Sequence, residues 1–377
     1  VAPGHRATDP EAATRAVTVL HSTEPASVYL SLQARVDGLS VAEVDRVLYE
    51  DRTLVKQLAM RRTLFVFPRD LLPAAWGSAS ARVATTIGAR LVKEVEAHGV
   101  APDGAAWLEE AKAAVVDALA GGVALTAQEL RERVPELEGR LQLATGKKYA
   151  ANVSVAPRVL TQLGVEGVLV RGENAGHWRL SKPRWTLMSD WLDDVPPAAK
   201  PDEGYAELVG RWLRSFGPGT EDDLVWWLGA TKGAVRSALA AVGAVEVSLD
   251  GGATGWVLPD DVDPVDEVEP WAALLPVLDP TVMGWKQRDF YLGGHGPQLF
   301  DTNGNAGTTA WWDGRIVGCW VQDDAGVVEV RTLARLPKAA LAALEVEAAR
   351  LTDWLDGVRI GTVYPSSAMK TVDWVKP

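Results

Sequence analysis

The stretch 105–185 constrains the fold most, because its element boundaries are written in local chemistry. Residues 107–119 carry apolar side chains at helical spacing and run into Gly121-Gly122, a helix stop. Thr126-Ala127-Gln128-Glu129 has the capping-box pattern and opens a short helix over 130–134. A second helix over 154–163 follows. Val168-Leu169-Val170-Arg171 and His177-Trp178-Arg179-Leu180 then flank a Gly- and Asn-bearing tip at 172–176, which predicts a β-hairpin. Helix, helix and hairpin in that order outline a winged helix.

The plan recurs on both sides. A helix over 205–216 ends at Gly217-Pro218-Gly219, and Thr220-Glu221-Asp222-Asp223 caps a short helix over 224–228. A helix over 231–242 comes next, then a hairpin on Asp250-Gly251-Gly252. At the N-terminus, residues 11–20 read as a helix with Ala12, Ala16, Val17 and Leu20 on one face. Past Leu20-His21-Ser22-Thr23-Glu24-Pro25, a new helix carries Val28, Tyr29, Leu32 and Val36 inward. Residues 41–49 are amphipathic, Asp51-Arg52-Thr53 starts a helix through Val55, Leu58 and Met60, and 63–67 is a strand closed by Pro68. From Trp271 the character changes, to a hairpin on Asp313-Gly314, a strand over 327–333, a helix over 337–355 and a final strand over 358–364.

The expected fold is therefore mainly α with an α+β C-terminal part. Three tandem winged-helix modules occupy 1–100, 101–195 and 203–260, and a β-rich C-terminal unit occupies 268–377. Asp193-Asp194-Val195-Pro196-Pro197 and the acidic stretch 260–270 read as linkers.

Composition narrows the functional classes. With 47% hydrophobic and 23% charged residues the chain is an ordinary globular one, and no run approaches the roughly 20 apolar residues of a membrane span. The first residues lack the basic-then-apolar layout of a signal peptide. A single cysteine, Cys319, excludes a disulfide framework within the chain, and no Cys/His group has zinc spacing. Phosphate loops, dinucleotide fingerprints and a Ser-His-Asp order are missing too. A cytoplasmic monomer without metal, cofactor or membrane contact is the expectation. The 16 tryptophans read as packing within and between units.

A net charge of −12 argues against a protein that coats nucleic acid, so the placement of the 38 basic residues matters. Lys56, Arg61 and Arg62 precede the first hairpin strand. Lys147, Lys148 and Arg158 precede and begin the second recognition helix, and Arg171 and Arg179 sit on its wing. In a winged helix these places meet phosphates; the competing reading is a solvated charged face. In the third module Glu221, Asp222 and Asp223 face Lys232 and Arg236, which favours a structural role. His21 and Thr23 fall at an expected helix–helix junction. There, Ser22 or Thr23 caps the following helix, or the polar side chains point into a cleft.

Several strings resemble the bacterial winged-helix DNA-binding domain family that contains the AlkZ/YcaQ-like interstrand-crosslink DNA glycosylases. They are Ala7-Thr8-Asp9-Pro10, Leu20 through Pro25, Ala34-Arg35, Asp51-Arg52-Thr53-Leu54-Val55 and Met60-Arg61-Arg62-Thr63-Leu64-Phe65. Leu275-Pro276, Asp279 and Trp312-Asp313-Gly314-Arg315 carry it into the C-terminal part. The resemblance implies a C-shaped body around a cleft for double-stranded DNA, and a water-positioning pair within Leu20 to Pro25. The family's motif there is of the Leu-Gln-x-Gln-Asp-Pro type. This chain has His21 and Thr23 at the two glutamine positions, so they become the candidate catalytic residues. The implied reaction is hydrolysis of the N-glycosidic bond of alkylated or crosslinked purines. A non-catalytic DNA-binding protein, and a scaffold whose winged helices bind protein, are the other readings.

Overall fold

A computed structural model describes residues 1–143 and 151–370 of the 377. α1 (Pro10–Arg15) opens at Asp9, whose carboxylate accepts from the Ala12 amide. It stops well short of residue 20. Thr18 adopts a left-handed φ of 64°, and its hydroxyl donates to the Arg211 carbonyl at 3.0 Å, tying the turn to a distant helix. β1 (Leu20–His21) follows, and α2 (Pro25–Gln33) starts after Glu24 with no side-chain cap. The junction is thus strand to helix, and neither Ser22 nor Thr23 is a cap.

After α3 (Val41–Asp45) comes β2 (Leu54–Leu58), a strand where the apolar spacing predicts a helix, and then β3 (Leu64–Pro68). Short apolar runs fit either period, and pairing decides. β2 lies antiparallel to β3 from Leu54 opposite Pro68 to Leu58 opposite Leu64. β1 adds to the other side of β3, with His21 opposite Phe65, giving a sheet in the order β1-β3-β2. α4 (Ala81–Ala97) ends at His98-Gly99 as expected.

The middle stretch has α5 (Gly104–Leu119) and α6 (Ala127–Arg133), the latter opened by the expected reciprocal Thr126–Glu129 cap. β4 (Arg140–Leu143) and β5 (Ala151–Ser154) form a hairpin that the pattern does not announce. α7 (Ala156–Val165) and the hairpin of β6 (Leu169–Asn174) with β7 (Pro183–Leu187) complete it. The return strand is β7 rather than 177–180. The Asn174 side-chain amide donates to the carbonyls of Gly176, His177 and Leu180, and its oxygen accepts from the Lys182 amide. These bonds wind 175–182 into a loop. Trp178 on that loop packs against Tyr29 of α2 and against Trp354, with ring centres 5.0 and 5.7 Å apart.

α8 (Pro201–Phe216), α9 (Glu221–Leu228), α10 (Lys232–Ala241) and the hairpin β8 (Val245–Ser248)/β9 (Thr254–Val257) follow the expected order, with Thr220 and Thr231 as caps. The C-terminal part is an antiparallel sheet of β10 (Ala272–Leu275), β11 (Thr309–Trp312), β12 (Arg315–Gln322) and β13 (Val328–Thr332), in that spatial order, with α11 (Lys338–Leu355) packed on it. The expected last strand over 358–364 does not form. There the Ile360 amide donates to the Gln322 side chain and the Val363 amide to Glu24, so side chains replace a ladder partner.

One apolar core joins residues 13–79 with residues 205–258 and takes in Val170, Met188, Trp191 and Leu192, while most of the apolar residues of 91–185 form a second core. Trp212 and Trp320 are wholly buried, and Trp285 meets Trp212, Phe216 and Phe290 edge-on at the seam between α8 and the C-terminal part. Cys319 is buried in β12.

Candidate active site and nucleic-acid interface

β1 delivers His21 into the interior. The imidazole is 8% exposed and stands edge-on to Phe65, with ring centres 5.1 Å apart. Burial, reinforced by the Arg61 guanidinium, lowers its pKa from 6.5 to about 3, so the ring is neutral at physiological pH. Its Nδ1 is buried without a hydrogen-bond partner. Beside it lies a cavity of about 10 Å³ bounded by Arg61, Phe65, Trp227 and Met283, the space of about one ordered water. A neutral imidazole offers one donor and one acceptor, as a side-chain amide does. It can orient a water but is too weakly basic to deprotonate one efficiently.

Thr23 is exposed at the turn before α2. The residues between and after the pair carry equally marked features. Ser22 is buried, its amide donates to the Leu64 carbonyl at 2.9 Å, and its hydroxyl has no partner. Glu24 is buried too. One carboxylate oxygen accepts from the Thr362 hydroxyl at 2.7 Å and the Val363 amide at 2.6 Å, while the other is unpartnered. Burial raises the Glu24 carboxyl above the ordinary carboxylate range, outweighing those two bonds. Because the folded state holds this proton more tightly than the unfolded chain, the contribution favours folding at low pH and is lost as pH rises through the raised value. Glu24→Gln is therefore expected to be more stable than the wild type at pH 8, with the gap narrowing toward pH 5. Urea denaturation midpoints at the two pH values check this, and a constant gap would refute it.

The basic residues divide into three groups. Lys56 and Arg171 are brought together with Ser22 and Asn174 around a cavity of about 20 Å³. Lys56 Nζ donates to the Tyr49 hydroxyl at 2.7 Å, and the Arg171 guanidinium lies 5.0 Å from the Trp185 ring, its pKa lowered by burial. Arg61 and Arg62 occupy the β2–β3 turn at φ 54° and 60°, Arg61 facing inward and Arg62 exposed. Arg179 is half-buried in the loop held by Asn174. Arg158, by contrast, is joined to Glu94 in an ion pair, so its charge is already answered within the protein. Lys147 and Lys148 lie outside the described residues.

Other features bear on partners. A groove of about 640 Å³ between β13 and α11 is lined by Glu329, Glu345 and Asp353 among others and is unsuited to a polyanion. No group of three or more His, Cys, Asp or Glu among the described residues could hold a metal ion, and no described helix is long and apolar enough to cross a membrane.

The fold is that of a DNA repair protein of known structure. Streptomyces sahachiroi DNA glycosylase AlkZ matches with a TM-score of 0.69 and 22% sequence identity, over 92% of this chain and 92% of that one. A comparison with curated protein sequences gives no significant match. The model of the AlkZ-like DNA glycosylases matches residues 14–354, and the chain belongs to that family. The sequence pattern singles out His21 and Thr23, weighs Ser22 only as a helix cap and gives Glu24 no role. Glu24 had one available signal, a carboxylate directly before the proline that opens α2.

Proposed function

We propose that this protein is a DNA glycosylase that hydrolyses the N-glycosidic bond of alkylated or crosslinked purines in double-stranded DNA. In this reading three winged-helix modules and the C-terminal unit form a C-shaped body around the duplex, and His21 and Thr23 position the attacking water. The observation that carries it is the unpartnered Nδ1 of a neutral, buried His21 beside a cavity for one water, at the position of the family's first glutamine.

The chemistry is undemanding in one respect. An N7-alkylated purine is already cationic and leaves the sugar as a neutral base while water adds at the anomeric carbon, so no strong general acid is required, and a neutral group that orients water is enough to help. Thr23, exposed next to Ser22, supplies a hydroxyl on the approach side. Lys56, Arg171 and Arg179 supply positive charge around Ser22 and the Asn174 loop, where phosphates would be held.

The test is incubation of the protein with a duplex containing N7-methylguanine, followed by alkali cleavage at abasic sites. Strand cleavage dependent on protein is the expected result. Tight binding to the duplex with no abasic product would overturn the enzymatic reading and leave a non-catalytic DNA-binding protein.

A further inference from the structure

Three parts of the chain meet at Trp226, and neither of the two arginines on its ring is paired with a carboxylate among the described residues. Arg61 comes from the β2–β3 turn and Arg288 from the C-terminal part. Their guanidinium carbons lie 4.0 and 4.9 Å from the centre of the Trp226 ring on α9. Arg288 is also 4.7 Å from the Phe300 ring, and its Nε donates to the Trp285 carbonyl at 2.8 Å. Arg61 Nε is buried without any partner. Neither arginine has a carboxylate within ion-pair distance among the described residues.

Asp223, whose charge favours the Arg288 cation, spends its hydrogen-bonding capacity on other donors. Asp223 Oδ1 accepts from the Lys286 and Gln287 amides at 2.8 and 2.9 Å, and Oδ2 accepts from the Thr220 amide and hydroxyl. The two guanidiniums therefore repel each other in a half-buried place. Arg61 is lowered to about 10 by burial and by Arg288, and Arg288 is lowered chiefly by burial.

Holding them there has a conformational cost as well. Arg61 and Arg62 are both left-handed, a backbone state unfavourable for any residue but glycine. Gly229, itself at φ 63°, makes room for this turn, since a Cβ there would stand 3.2 Å from Arg61 Cγ. Two cations without an ion-pair partner among the described residues, aimed by a left-handed turn and braced on aromatic rings in a chain of net charge −12, are suited to take an anion.

We propose that Arg61 and Arg288, braced on Trp226, form a clamp for a single phosphodiester of the DNA backbone, adjoining the cavity that holds His21. The clamp rests on the glycosylase reading above and adds to it one definite contact point built from three separated stretches of chain. Arg61 borders the His21 cavity, so a phosphate held by this pair would fix the neighbouring sugar relative to β1. Filling the clamp also answers the positive charge that disfavours protonation of His21.

The experiment measures duplex affinity by fluorescence anisotropy as a function of salt, for the wild type, Arg288→Gln and Arg288→Lys. Loss of one phosphate contact is expected to reduce the slope of log K against log salt by about 0.9 in Arg288→Gln. Arg288→Lys, which keeps the charge, is expected to restore most of the slope, and circular dichroism verifies that each variant is folded. A folded Arg288→Gln with an unchanged slope overturns the clamp while leaving the glycosylase reading intact. If inorganic phosphate at constant ionic strength then raises the melting temperature of the wild type and not of that variant, the pair serves a free anion. Failure of the wild type to bind any duplex overturns both readings together.

Discussion

Exchange of Arg35 for alanine is expected to remove about 3–5 kcal/mol of folding stability, the loss typical of stranding one member of a buried ion pair. Arg35 lies just past the end of α2, and Asp279 lies just before a short helix of the C-terminal part. The two guanidinium nitrogens donate to both carboxylate oxygens at 2.7 and 2.9 Å, and Asp279 is wholly buried. Ser31 Oγ and the Thr281 amide donate to the same carboxylate, and Arg35 reaches the Ser31 carbonyl and the Thr281 hydroxyl. Burial pushes the Asp279 carboxyl up, and Arg35 with these bonds brings it back below the ordinary carboxylate range. With Arg35 gone, the buried carboxylate keeps only the Ser31 and Thr281 donors and loses its counter-charge. The urea midpoint reads the loss, and Arg35→Met combined with Asp279→Asn should fall by less than the sum of the two single losses. Strict additivity would show that the pair acts as two independent contacts.

The second large effect concerns rate. His21→Ala is expected to slow base excision by about 10²-fold, the lower end of what a positioned proton-handling group contributes. The lower end applies because a ring whose pKa is about 3 orients water better than it deprotonates it. His21→Gln is expected to retain most of the activity, since an amide supplies the same donor and acceptor. For the same reason the wild-type rate should be flat from pH 6 to pH 9. A rate that instead rises through pH 6.5 would restore His21 to the role of general base. The linked stability effect has a definite sign. The unfolded chain takes up a proton near pH 6.5 that the folded ring refuses until about 3, so stability falls with decreasing pH across that window by about 1.4 kcal/mol per unit. His21→Gln should remove that component.

Helix caps and glycine stops carried most of the fold's legibility. Thr126–Glu129, Thr220–Asp223 and the Asp313-Gly314 turn are satisfied by neighbours within a few residues, so sequence spacing alone exposes them. The misreadings share a cause. Residues 54–58 and 183–187 take their conformation from strand partners outside their own stretch, Leu64–Pro68 and Leu169–Asn174, and the turn at Thr18 is tied to the distant Arg211. Residues 358–364 meet distant side chains where the apolar pattern suggests a strand.

The site divides the same way. His21 and Thr23 were reachable through the family motif, but the neutrality of His21 comes from burial under β3 and Arg61, which no local pattern encodes. Arg288 and Trp226 were invisible as partners, because three stretches more than 60 residues apart in sequence supply them with Arg61.

The core shared by residues 13–79 and 205–258 has a consequence for how the protein is made. As the chain leaves the ribosome, its first third emerges with an apolar face whose cover has not yet been synthesised. The middle stretch, most of whose apolar residues form a second core, is the first able to complete its packing, although it is the second to appear. The N-terminal segment bearing His21 must wait, exposed, for more than a hundred further residues. Packing around the segment that carries the candidate residue His21 is therefore completed only by residues made much later.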